Sequence, residues 1–90
     1  MIRLGIELVW TTAREAHVQK HGIEPGEIDE VIAGPVLLRK HRGRCLVFGR
    51  TEASRYLLVV IDLDEAGQWL CITARPMVAW ERDYFERSGK

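Results

Sequence analysis

The chain has 90 residues, enough for one domain with a single modest core and too few for a second. Thirteen Lys and Arg balance thirteen Asp and Glu, which excludes a generally basic surface of the kind that binds nucleic acid through net charge. The opening Met-Ile-Arg-Leu-Gly-Ile-Glu has no basic region followed by a long apolar run, so neither a signal peptide nor a membrane span is expected, and the chain reads as cytoplasmic.

In chain order, Ile2 to Trp10 predicts a first strand, with Ile6, Leu8 and Trp10 alternating against Glu7. A helix follows, with Thr12 as its N-cap, Glu15 at the capping-box spacing and Gly22 as its terminator. It is poor in large apolar residues: Ala13 and Ala16 share a face with His17 and Lys20, and Val18 is its only branched aliphatic side chain. Its claim on the core is therefore weak. Pro25 suits the first turn of a second helix, where Ile28, Val31 and Ile32 form the i, i+3, i+4 stripe and Gly34-Pro35 is the stop. Val36 to Arg39 is a short strand-like run, and a basic turn containing Gly43 leads to three more: Arg44 to Arg50, Arg55 to Ile61 and Trp69 to Arg75. Pro76 opens the last helix, which runs towards Arg87. The order predicts an α+β fold occupying residues 1–90 as a single domain. It is an antiparallel β-meander with two N-terminal helices and a C-terminal helix packed on the sheet.

The arginines at the ends of the three long runs organise the functional reading. If Thr51 to Ser54 is a four-residue hairpin loop, Arg50 opposes Arg55; if Asp62 to Gln68 is the next loop, Arg55 opposes Arg75. Side chains alternate with period two, so Arg50, Arg55 and Arg75 would share one face and one end of the sheet. A slip of one residue in either hairpin would break the row. On the same register Cys45 and Cys71 lie on non-adjacent strands and point to opposite faces, so reduced, structural thiols are expected.

Charge is unevenly distributed. Arg39, Lys40, Arg42, Arg44, Arg50 and Arg55 face a single acid, Glu52, within one short stretch, while the segments on either side are net acidic. Arginine outnumbers lysine ten to three, and guanidinium is the better fork for phosphate or carboxylate. In the last helix Met77, Trp80, Tyr84 and Phe85 form an apolar face, and Glu81 falls inside it. A carboxylate there needs a positive partner, which makes Glu81 either a counterion that orients one arginine or a proton-transferring group.

His17 and His21 stand at the i, i+4 spacing that can meet a metal ion, but the intervening Val-Gln-Lys lacks the Glu of a zinc-protease helix, so no metal is expected. No nucleophile motif, Gly-rich phosphate loop or dinucleotide fingerprint occurs, and no cofactor is expected. Arginines, histidines, one semi-buried Glu and Tyr84 remain. That set fits metal-independent RNA cleavage, in which arginines hold the phosphate while an acid and a base move protons. It fits equally a non-catalytic module that binds an acidic partner through the same basic face.

Trp10, Lys20-His21-Gly22-Ile23, Glu27-Ile-Asp-Glu-Val31, Gly49-Arg-Thr51, Arg55-Tyr-Leu-Leu-Val-Val60, Ile72-Thr-Ala-Arg75, Met77, Glu81-Arg82 and Tyr84, in this order, resemble the BrnT-like toxins of bacterial type II toxin–antitoxin systems. The resemblance covers nearly the whole chain. It implies a RelE-like fold, a ribonuclease that blocks translation, and neutralisation by a BrnA-like antitoxin with a ribbon-helix-helix part. Operator DNA would then be bound only through that antitoxin. Carried over residue by residue, it places the charged site on His21, Arg50, Arg55, Arg75 and Glu81, with Tyr84 nearby; Lys20, Arg39, Lys40, Arg42 and Arg44 become the candidate RNA contacts.

Overall fold

The computed structural model describes residues 1–88. The alternating apolar runs become β1 (Leu37–His41), β2 (Arg44–Arg50), β3 (Tyr56–Leu63) and β4 (Trp69–Pro76), an antiparallel sheet in the order β1-β2-β3-β4. Helices α1 (Thr12–Lys20) and α2 (Pro25–Ala33) cover one face and α3 (Ala79–Ser88) packs on the other, which makes an α+β arrangement of three layers.

Because both faces are covered, period-two alternation feeds two apolar clusters. Cys45, Val47, Leu57, Val59 and Ile61 meet Val18, Ile23, Ile28, Val31 and Ile32 on the α1–α2 side. Phe48 and Leu58 meet Met77 and Phe85 on the α3 side. A fully buried aliphatic side chain stabilises by roughly 1.5–3 kcal/mol. Helix α2 supplies Ile28, Val31 and Ile32, whereas α1 supplies only Val18. Polar contacts hold α1 instead: the Arg14 guanidinium donates to the Cys71 carbonyl at 3.1 Å, and His17 Nε2 lies 3.2 Å from Thr73 Oγ1. Both contacts fall on β4, an edge strand, and the first occupies one of its outward-facing carbonyls.

Several local expectations change. The N-cap of α1 is Thr11 rather than Thr12, with Thr11 Oγ1 accepting the Arg14 N–H at 3.2 Å. The expected first strand forms no ladder. Its even residues Leu4, Ile6, Leu8 and Trp10 do pack on the larger core, but Gly5 has φ +63° and leaves the extended conformation. What remains is an antiparallel bridge from Ile2 to Val36 and a parallel one from Leu8 to Trp69, so the segment links the two opposite edges of the sheet. Pro76 ends β4 instead of opening the last helix. Trp80 is 65% exposed and is no part of the α3 core face, which consists of Phe85 and Glu81 with Tyr84 half-buried. Among the described residues no helix is long and apolar enough to cross a membrane.

Helix α2 comes close to the sheet at Gly49 in β2. A Cβ there would lie 2.8 Å from Val31 Cγ1 and 3.3 Å from Val36 Cγ1, both on fully buried side chains with nowhere to move. Gly49→Ala is therefore expected to lower stability by about 1–3 kcal/mol, read as a drop in the urea midpoint at unchanged m-value.

Candidate functional site

The turn between β2 and β3 decides which arginines meet. Ser54 N–H donates to the Thr51 carbonyl at 2.9 Å, closing a β-turn, and Ser54 then adopts φ +66°. Thr51 and Arg55 close the loop, the Thr51 N–H donating to the Arg55 carbonyl at 2.9 Å and the Arg55 N–H to Thr51 Oγ1 at 3.0 Å. The turn followed by a left-handed residue adds one residue to the expected loop, so Arg50 opposes Tyr56 rather than Arg55. A second irregularity follows at Val60/Ile61: Ile61 opposes Cys71 but Val60 opposes Thr73, leaving Ile72 as the extra residue of β4. Arg75 consequently opposes Leu58, not Arg55.

The row of three arginines therefore does not exist. Arg50 and Arg75 still share the α3 face, because the two odd displacements cancel, while Arg55 turns to the α1–α2 face. There its Nη1 donates to Glu27 Oε1 and to the Gly22 carbonyl, both at 3.0 Å. The same first displacement puts Cys45 and Cys71 on one face, each opposite Ile61, rather than on opposite faces. Both are buried free thiols, and burial pushes Cys71 up to about 12, so it stays protonated and inert.

Arg75 and Glu81 form a bidentate pair: Nη1 to Oε1 and Nη2 to Oε2 are each 2.7 Å. Glu81 is 2% exposed, is the third residue of α3, and its Oε1 also accepts the Val78 N–H at 2.9 Å, half of a capping box. The Arg75 hydrogen bonds hold the Glu81 carboxyl below its ordinary value against the opposing effect of burial, and the pair raises Arg75 in turn. With both oxygens engaged, Glu81 acts as the counterion that orients Arg75.

Arg50 is drawn into a different cluster. Its guanidinium carbon lies 5.0 Å from the Tyr56 ring centroid, and that of Arg82 lies 4.4 Å from the same centroid. The Tyr56 hydroxyl donates to Glu86 Oε1 at 2.6 Å. Neither Arg50 nor Arg82 has a carboxylate partner among the described residues. Beside this cluster is a cleft of about 260 Å³ lined by Ser54, Arg55, Tyr56, Pro76, Met77 and Arg82. Arg82 and Tyr56 escaped the sequence reading. The wheel of α3 turns Arg82 away from the helix's apolar stripe, but Tyr56 stands beside that stripe at the end of the sheet and meets it. An aromatic at a strand end next to an arginine was the available signal.

The remaining expected residues disperse. Tyr84 packs edge-on against Phe48 at 5.6 Å between ring centroids and accepts from Arg39 Nη1 at 3.1 Å, away from the Arg50–Tyr56–Arg82 cluster. His21 is the C-cap of α1, 5.1 Å from His17 between ring centroids, and borders Arg55 only through the Gly22 carbonyl. Lys20 ends α1 and is exposed. Arg39 and Lys40 in β1 and Arg42 and Arg44 of the following turn and strand lie on the β1–β2 hairpin; Arg44 and Arg50 occupy opposite ends of β2, about 20 Å apart in an extended strand. Among the described residues no three His, Cys, Asp or Glu gather into a metal-binding group.

Comparison of the chain with protein-family models, with curated proteins and with solved structures finds no match.

Glu27 is also lowered, first by the Glu24 N–H and then by Arg55, so two carboxylates carry folded values below 4.5. A depressed carboxylate contributes stability that is complete above its unfolded value and is lost as pH falls through the folded one. The urea midpoint is expected to drop below about pH 4.5, and Glu81→Gln should flatten that drop while costing about 1.5–3 kcal/mol at neutral pH. Arg75→Ala, which strands a buried carboxylate, should cost about 3–5 kcal/mol at neutral pH in the same titration.

Proposed function

We propose that this chain is a cytoplasmic, BrnT-like ribonuclease toxin of RelE-like fold that cleaves RNA without a metal ion. The observation that carries the reading is the pair of carboxylate-free guanidiniums, Arg50 and Arg82, stacked on Tyr56 beside an open cleft. Two planar donor forks on one ring are pre-organised for a non-bridging phosphate oxygen, and they stabilise the charge that grows on it as the 2′-oxygen attacks phosphorus. Arg55 contributes its charge from the cleft wall, already oriented by Glu27. Glu86, exposed and holding the Tyr56 hydroxyl, is a carboxylate base within the same cluster, and the phenol is the adjoining proton carrier. In this reading the site keeps Arg50 and Arg55 from the resemblance and adds Arg82, Tyr56 and Glu86. Arg75 and Glu81 form the support that fixes α3 above it. Neutralisation by a ribbon-helix-helix antitoxin belongs to the same proposal, with the basic β1–β2 hairpin free to meet its acidic residues.

A second reading has one observation in its favour. Arg55 and Arg75 are already paired with carboxylates of this chain, which leaves little unsatisfied charge for a polyanion and suits a module that binds an acidic protein without catalysis. Incubation of purified protein with RNA separates the two. Cleavage that persists in EDTA and falls at least about 100-fold in an Arg50→Ala/Arg82→Ala double variant of unchanged urea midpoint is the expected result. A well-folded wild type that cuts no RNA, alone or with ribosomes, and arrests no growth on induced expression would leave the binding module standing.

A further inference from the structure

Ser54 occupies a position that ordinarily falls to Gly or Asn. It follows a β-turn in a hairpin loop at φ +66°, where a Cβ is crowded against backbone and an L side chain is disfavoured. Hydrogen bonds on both sides hold it there. The Ser54 N–H is committed to the Thr51 carbonyl, and Thr51, 5% exposed, is tied to Arg55 through both its N–H and its hydroxyl. The Glu52 N–H is held by Glu30 Oε1 of α2 at 3.1 Å. Strain that persists under such over-determination points to a use for the side chain. The use is visible: Ser54 Oγ accepts from Arg50 Nη2 at 2.8 Å, the only hydrogen bond the Arg50 side chain makes among the described residues. Ser54 also lines both the cleft beside Tyr56 and a neighbouring one of about 400 Å³ that contains Arg50, so it stands at the ridge between them.

We propose that Ser54 is a positioning residue, held in a left-handed conformation so that its hydroxyl fixes the Arg50 guanidinium over Tyr56 for an incoming phosphate. The inference rests on the phosphate-binding reading of that cluster and adds to it the part that keeps one fork in place. An arginine side chain has several rotatable bonds, and an exposed one tethered by a single short hydrogen bond is oriented by that bond more than by packing. Nothing in loop closure requires a hydroxyl here, because the closing hydrogen bonds are backbone groups and the Thr51 side chain.

The test uses three substitutions with opposed expectations. Ser54→Gly relieves the backbone and removes the acceptor, so it should raise the urea midpoint while weakening the binding of a short fluorescein-labelled DNA oligonucleotide by about fivefold to tenfold. DNA lacks the 2′-hydroxyl and is bound without being cut. Ser54→Asn tolerates the left-handed conformation and retains an oxygen acceptor, so it should raise the midpoint and keep near wild-type binding. In an Arg50→Ala background Ser54→Gly should change binding no further. Unaltered binding by Ser54→Gly, or an effect that survives removal of Arg50, overturns the positioning role while leaving the phosphate reading intact. A wild type that binds no oligonucleotide removes both.

Discussion

The register between β2 and β3 is the constraint on which everything else in this molecule depends. It is set by five residues, Thr51 to Arg55, and by the extra residue that their left-handed Ser54 admits. Because side chains alternate with period two, one residue more or less exchanges the two faces of every position beyond it. Here that exchange sends Arg55 to Glu27 on the α1–α2 side and brings Tyr56 opposite Arg50 on the α3 side. The bulge at Ile72 then returns Arg75 to the face it shares with Arg50. Two local irregularities, one in a loop and one inside β4, thus distribute three arginines between two surfaces.

The second consequence is a division of labour among the arginines. Arg75, itself half-exposed, is tied to a carboxylate that is almost wholly buried, and such a pair holds position more than it adds net stability, since much of its attraction offsets the cost of withdrawing the Glu81 carboxylate from water. Its geometry explains what it holds. Glu81 bonds Arg75 of β4 with both oxygens and the Val78 N–H at the mouth of α3 with one, so strand and helix start are locked together. That lock sets the angle at which α3 crosses the sheet. Arg82, one residue further along the helix, reaches the Tyr56 ring because of it.

How much of this the sequence carried follows from where the physical signal lies. The antiparallel meander, the short apolar stripe of α2 and the thin core contribution of α1 were legible because periodicity and burial act over whole elements. The Arg75–Glu81 pair was legible in outline because a carboxylate on an apolar helical face requires a cation, and few were within reach. The register was not legible, since a bulged loop betrays itself by Gly or Asn at its left-handed position and here that position is Ser54. The bulge at Ile72 leaves no trace either, because an isoleucine in a strand looks the same whether paired or not. The N-terminal segment misled for the opposite reason. Its alternation is genuine, but Gly5 turns the chain, and a periodic pattern records which side chains are buried rather than whether a ladder forms beneath them.

A neutral chain that presents two uncompensated guanidiniums must do so locally. Over the whole molecule the charges cancel, so long-range attraction of a polyanion is weak and screened beyond about 8–10 Å. Within the cluster the situation differs: Glu86 is engaged by the Tyr56 hydroxyl, Glu81 by Arg75 and Glu27 by Arg55, so these three carboxylates already have donors. Arg50 and Arg82 are what remains after that pairing. Among the described residues Arg50 is held by a hydroxyl and both lie over one aromatic face, contacts that orient a guanidinium without neutralising it. If the cluster takes a phosphate as proposed, selectivity would come from shape, two forks on one ring, rather than from field, and the site would discriminate by the spacing of the oxygens it is offered.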